Sequence, residues 1–339
     1  MRILVTADPE LPVPPILYGG IERIVQLLID GLRARGHVVA LAARAGSTVH
    51  TDAFYPWPGE SSHGWVNACR NAWALRAAVR SFQPDLVHSF SRLLYLMPIL
   101  RRTLPKVMTY ERQPTVRAVR QAVGLARGTL IFTGCSDSVC RDGRPGGGTW
   151  NTVHNGVDMN LYRFQPTVPA DAPLVFLSRV ERIKGTHRAI AIARKAGRPL
   201  IIAGNHGEAG EEKIYWEKEI LPYVDKDGIS YVGPVNDAQK NDLLGRAAAM
   251  LVPIEWEEPF GIVFAEALSC GTPVISCPRG ALPEIIRDGK EGFLVNTVDE
   301  GVAAIGRLSQ IDRGACRRRA EESFSADVMV ENYLRLYSR

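Results

Sequence analysis

Short runs rich in β-branched residues alternate with helical periods along the chain, the signature of an α/β fold built on parallel sheets. The runs fall in two sets. Residues 2–7, 38–43, 85–90, 106–110, 129–133 and 150–154 make the first, and 174–178, 199–203, 229–232, 249–253, 273–276 and 292–295 the second. Two doubly wound sheets accommodate them better than one. The 339 residues, 46% of them hydrophobic, suffice for two cores. The break is expected in Arg163-Phe164-Gln165-Pro166-Thr167-Val168-Pro169, where prolines gather and the period lapses. This predicts an N-terminal domain over 1–165 and a C-terminal one over 166–321, with a last helix at about 326–337.

No run approaches the roughly 20 apolar residues that span a bilayer. The start, Met1-Arg2-Ile3-Leu4-Val5, leads into a strand and has no apolar leader with a cleavage site, so no signal peptide is expected. The six cysteines form no CxxC pair, which suits free thiols in a reducing cytoplasm. Charge is uneven. Residues 1–165 carry 19 Lys and Arg against 11 Asp and Glu, and Lys106 is the one lysine among them. A basic half suits an anionic acceptor or an acidic lipid surface, and equally a plain solvated surface. Arg112, Arg117, Arg120 and Arg127, with Val116, Val119 and Val123 between them, form a basic amphipathic stretch. It reads as a solvated helix face or as a peripheral membrane contact. A nucleic-acid partner is not expected.

Two acids carry the chemistry. In Glu258-Pro259-Phe260-Gly261-Ile262-Val263-Phe264-Ala265-Glu266, proline and glycine keep Glu258 ahead of a helix start, and Glu266 falls inside the helix on an otherwise apolar stretch. A helix start attracts anions, because its first N–H groups are unpaired and its dipole is positive there. Two carboxylates bracketing an anion site suggest a ligand with phosphate in the middle and hydroxyl-rich groups at both ends, which is the form of a nucleotide sugar. A second glycine turn, Tyr18-Gly19-Gly20, opens a helix after the first strand, where backbone can approach an anion closely. No G-x-G-x-x-G is present, which counts against a dinucleotide dehydrogenase.

The segment from Val232 to Val295 resembles the C-terminal core of the retaining glycosyltransferases of family 4, which have the GT-B fold of two Rossmann-like domains facing a deep cleft. The resemblance rests on Tyr231-Val232-Gly233, Leu251-Val252-Pro253, Glu258-Pro259-Phe260-Gly261, Glu266-Ala267, Gly271-Thr272-Pro273-Val274-Ile275, Pro283-Glu284-Ile285-Ile286 and Gly292-Phe293-Leu294-Val295 in that order. It implies a donor-binding C-terminal domain, an acceptor-binding N-terminal domain and a final segment, about 322–339, that returns to the N-terminal domain.

The resemblance also implies roles. Arg179 and Lys184 match the family's basic pair and would neutralise a donor diphosphate. Glu266 would take the ribose hydroxyls, and Glu258 those of the transferred sugar. Backbone at Phe260, Gly261, Ile262 and Val263 would meet the sugar or diphosphate, and backbone at Gly204 and Val232 the base. Gly19 and Gly20 would lie by the diphosphate, with Tyr18, Glu22 and Arg112 on the acceptor side. The sequence departs from the family at Asp85-Leu86-Val87-His88-Ser89-Phe90, where Phe90 stands in place of a second histidine. His88 either takes over that catalytic part or is a satisfied core histidine. His154-Asn155-Gly156-Val157-Asp158 matches a family signature and reads mainly as a turn. Asp225-Lys226-Asp227 looks like a D-x-D metal motif but reads as a solvated turn, so no metal or other cofactor is expected.

The function implied is metal-independent, retaining transfer of a hexose from a UDP- or GDP-sugar to a glycan, lipid-linked or small-molecule acceptor. It would take place in the cytoplasm, with the enzyme free or membrane-peripheral. No carboxylate nucleophile is evident, which favours front-face attack assisted by the leaving phosphate. The rival readings are a GT-B nucleotide-sugar epimerase and a catalytically lapsed sugar- or lipid-binding module.

Overall fold

In the computed structural model, which describes residues 1–16 and 19–338, the chain packs as two units. One is Met1–Gly156 together with the C-terminal segment from Ala326; the other is Val157–Ser325. The division falls earlier than the proline-rich linker suggests. Tyr162, just before that linker, and Gln165 within it go with the second unit because Arg317 Nη1 donates to the carbonyl of Tyr162 and Arg313 Nε to that of Gln165.

The first unit holds a seven-stranded sheet: β1 (Arg2–Thr6), β2 (Val38–Ala43), β3 (Ala53–Pro56), β4 (Leu86–Ser89), β5 (Lys106–Tyr110), β6 (Leu130–Gly134) and β7 (Thr149–Thr152). Their order is β3-β2-β1-β4-β5-β6-β7, and every pairing is parallel. Helices cover both faces, so β1 and β4 are buried on both sides: Ile3-Leu4-Val5 is apolar throughout, and the buried polar residues Thr6, His88 and Ser89 stand towards the carboxyl ends. β3 was not legible as a strand. It is a four-residue edge strand, half-exposed and ending in Pro56, where a missing N–H breaks no ladder bond. The helix Ala326–Tyr337 lies on the helix Gly20–Ala34. Gly31 packs where a Cβ would overlap Val330, and Arg35 bonds Asp327 at 3.0 Å and Glu331 at 2.8 Å.

The second unit holds β8 (Leu174–Leu177), β9 (Leu200–Ala203), β10 (Ile229–Gly233), β11 (Ala249–Val252), β12 (Val274–Ser276) and β13 (Gly292–Leu294). All are parallel, in the order β10-β9-β8-β11-β12-β13. Each sheet thus reverses its order of growth once, between β1 and β4 in the first and between β8 and β11 in the second. Open α/β sheets bind ligands outside the carboxyl ends of the strands at such a reversal.

Candidate functional site

In the second unit the expected residues follow the carboxyl ends of β8, β9, β10 and β11. From β8 the chain turns through Arg182–Lys184 to Gly185, whose φ is 77° and where a Cβ would overlap the carbonyl oxygen of Pro253. Only glycine lets the loop lie this close to the exit of β11. That approach buries Lys184. Its Nζ lies 2.6 Å from Glu258 Oε2 and 4.5 Å from the ring centre of Trp256, whose Nε1 donates to the same oxygen at 3.0 Å.

The Glu258 loop is fixed from its other side. The amide of Ala281 donates to the Glu258 carbonyl at 2.8 Å, and Gly280, at φ 57°, leaves no room for a Cβ against the Glu258 backbone. Gly261, at φ 77°, caps the helix Ile262–Ser269, so the amides of Ile262 and Val263 head that helix. Phe260 is buried with its ring 5.7 Å from that of Phe324.

Glu266 lies inside the helix and is buried. Tyr162 donates to its Oε1 at 2.6 Å, and Lys240 Nζ lies 2.6 Å from the same oxygen and 5.4 Å from the Tyr162 ring centre. Arg179 remains part-exposed and pairs with Glu181 at 2.6 Å. Gly204 has φ 139°, and a Cβ there would overlap the Ser178 carbonyl, while Val232 is about half-exposed at the end of β10. Arg182 pairs with Glu219 and covers Tyr215.

The first unit places a smaller polar group at its own reversal. Gly19 and Gly20 head the helix, and Glu22 in its first turn is buried, with its carboxylate lying over Gly19. Burial raises the Glu22 pKa. Asp8, just past β1, accepts from Arg112 Nη2 at 2.8 Å through Oδ2. Its Oδ1 is buried without a hydrogen-bond partner among the described residues, and burial raises its pKa against the opposing pull of Arg112. Thr6, Ser89 and Ser91, at and just past the ends of β1 and β4, join their hydroxyls at 2.7–3.1 Å. Tyr18 lies outside the described residues.

His88 does not join this group. Its ring is wholly buried, with Nδ1 bonded to Tyr337 Oη at 2.6 Å and Nε2 to Thr109 Oγ1 at 2.7 Å. Phe90 packs on it with ring centres 4.4 Å apart. Burial pushes its pKa down to about 3, so it is a neutral core residue with both nitrogens occupied. Of the two sequence readings, the core histidine is the one that fits. The motif Asp225-Lys226-Asp227 is a turn: both aspartates have positive φ, and Asp227 pairs with Arg194 at 2.9 Å. Among the described residues no three of His, Cys, Asp or Glu are grouped to hold a metal ion.

Sequence reading missed Trp256, Lys240, Tyr162, Gly280 and Asp8. A lone tryptophan within Glu255-Trp256-Glu257-Glu258 was a usable signal. Lys240 was not readable, because it sits on a polar helix whose partner is distant in sequence.

Residues 159–321 match the family described as glycosyl transferases group 1, and residues 18–161 match glycosyltransferase family 4. The chain is 27% identical to glycogen synthase of Mycobacterium tuberculosis over 94% of this chain and 88% of that one. Its fold is shared with AviGT4, a glycosyltransferase involved in avilamycin A biosynthesis. The TM-score is 0.76 at 24% identity, covering 100% of this chain and 97% of that one. It is shared equally with HepE of Anabaena solved in complex with UDP-glucose, at TM-score 0.75, 18% identity and coverage of 100% and 99%.

Proposed function

The chain belongs to the family 4 glycosyltransferases, and from that premise we propose that it transfers a hexose from a nucleoside-diphosphate sugar with retention and without a metal ion. The observation that carries this reading is the arrangement around one helix start. Glu258 stands ahead of it, Glu266 stands within it, and Arg179 and Lys184 follow the strand that begins the unit.

In this reading the diphosphate meets Arg179, Lys184 and the amides of Ile262 and Val263. These groups stabilise the charge that develops on the phosphate as the bond to the sugar breaks. Glu258 accepts from sugar hydroxyls, and Glu266 takes the ribose hydroxyls in place of the Tyr162 hydroxyl. Backbone at Gly204 and Val232 meets the base. The acceptor binds the first unit near Asp8, Glu22 and Arg112, and its hydroxyl attacks the face of the sugar that the phosphate leaves. UDP is the first nucleotide to test, because HepE was solved with UDP-glucose.

The test is incubation with UDP- and GDP-hexoses, candidate acceptors and a chelator, followed by NMR of the product's anomeric proton. A retained configuration is expected. An inverted product, or turnover abolished by the chelator, overturns the reading, and conversion of donor without acceptor identifies an epimerase.

A further inference from the structure

The helix Trp65–Phe82 has two apolar sides. One of them, with Ala72, Leu75, Val79 and Phe82, is buried in the core of the first unit. The other faces outward: Trp65, Val66 and Trp73 are 72%, 62% and 60% exposed. At about 100° per residue, Val66, Trp73 and Ala77 share one line along the helix, with Arg70 on one flank and Arg76 and Arg80 on the other. The Arg76 guanidinium lies 5.1 Å from the Trp73 ring centre, and its Nε is buried without a hydrogen-bond partner among the described residues. A shallow groove runs past Trp73, Arg76, Arg80 and Ser81. The eighteen residues of the helix include no Asp or Glu.

We propose that this face docks the first unit on the surface of an anionic lipid bilayer. Its charge selects an anionic occupant, since three arginines stand on one helix that itself carries no Asp or Glu. Its apolar line selects a bilayer over other anions. Indoles favour the headgroup boundary, with the ring in the acyl region and the N–H in water, and Val66 and Ala77 offer nothing to a hydroxylated glycan. A second copy bound through the same face would set arginine against arginine. No helix among the described residues is long and apolar enough to cross a membrane, so the contact is one of surface docking. The basic stretch from Arg112 to Arg127, the membrane candidate in the sequence, lacks this construction. Val119 is buried and Val123 packs on the core, so its arginines form a solvated face.

The experiment is co-sedimentation, without donor or acceptor, with vesicles of phosphatidylcholine alone or with about a third phosphatidylglycerol. Its outcome is therefore separate from that of the proposed reaction. Binding is expected to the anionic vesicles and not to the neutral ones, and it should weaken as salt rises. Each Arg→Gln change at positions 70, 76 and 80 should weaken binding roughly fivefold. The pair W65A and W73A should abolish it with the circular dichroism unchanged; if that variant misfolds, the arginine series decides alone. Equal binding to neutral vesicles overturns the proposal, as does wild-type binding by the arginine variants. So does failure to bind vesicles with retention on an immobilised acidic polysaccharide, or a dimer that the same variants dissolve.

Discussion

Replacing Lys184 by methionine keeps the side chain's length and removes its charge. Lys184 and Glu258 are 8% and 7% exposed, with 2.6 Å between Nζ and Oε2. Removing one partner of a buried ion pair costs about 3–5 kcal/mol, because the other charge is left buried and uncompensated. Here the abandoned carboxylate keeps the Trp256 N–H as a donor, which puts K184M near the lower limit, at about 3 kcal/mol. Glu258→Gln leaves the ammonium facing an amide oxygen and the Trp256 ring, a loss of about 2–3 kcal/mol. The double variant strands no charge, so its loss should stay at about 3 kcal/mol, a coupling of about 2–3 kcal/mol. Urea unfolding of the four proteins measures this, with the transition of the second unit resolved from that of the first. Coupling below about 0.5 kcal/mol would refute the buried pair. Ligand titration separates structure from function. K184M should weaken UDP binding by about tenfold, since a charge-assisted bond to phosphate is lost. Glu258→Gln should leave UDP binding at least as tight while weakening UDP-hexose. Unchanged UDP binding by K184M would make Lys184 purely structural.

Three further substitutions probe the frame. Burial holds the folded His88 neutral down to about 3, while the unfolded imidazole titrates near 6.5, so the unfolded chain takes up the proton first and stability falls as pH drops from 6.5 towards 3. The wild type should therefore lose about 2 kcal/mol relative to His88→Gln between pH 7 and pH 5; a difference that stays flat with pH in urea titrations refutes it. Gly280→Ala should cost about 1–3 kcal/mol and weaken donor binding, because its Cβ would enter the Glu258 backbone; thermal shift with and without UDP checks both. Lys106→Met should cost about 2–3 kcal/mol in chemical unfolding, since its buried Nζ bonds the carbonyls of Arg102 and Leu104 at 2.8 and 2.7 Å. A loss near zero would show that water replaces it.

The strands were legible wherever burial on both faces left an unbroken apolar run, as in Leu174–Leu177 and Ala249–Val252. β3 was not, because an edge strand is half wet and tolerates Pro56. Glu258 and Glu266 stood out for a related reason: an acid beside Val263, Phe264 and Ala265 violates the apolar pattern, and a violation is visible in a single sequence. Their partners violate nothing. Lys240 on a polar helix and Tyr162 before a linker are ordinary residues until the fold brings them to Glu266. His88 shows the converse. A histidine in a strand looks like chemistry, and only the hydroxyls of Tyr337 and Thr109, distant in sequence, make it a core residue.

Those concealed partners bear on how an anionic donor enters. A bare pair of buried carboxylates beside a helix start would repel a diphosphate. In this fold Glu258 is matched by Lys184, Glu266 by Lys240, and Glu181 by Arg179. The charges of these three pairs therefore cancel, and the helix start with its two leading amides keeps its positive end available to an anion. A donor need not add charges to a repulsive pocket, because it exchanges partners within it. In the proposed reaction Lys184 would turn from a carboxylate to a phosphate, and Glu258 from an ammonium to sugar hydroxyls. Both exchanges would trade one strong polar contact for another, so in this reading binding energy depends on how well the sugar meets Glu258 and less on charge alone. Under the proposed function, discrimination between one hexose and another would then rest on Glu258, a residue that pure charge complementarity would have assigned to repulsion.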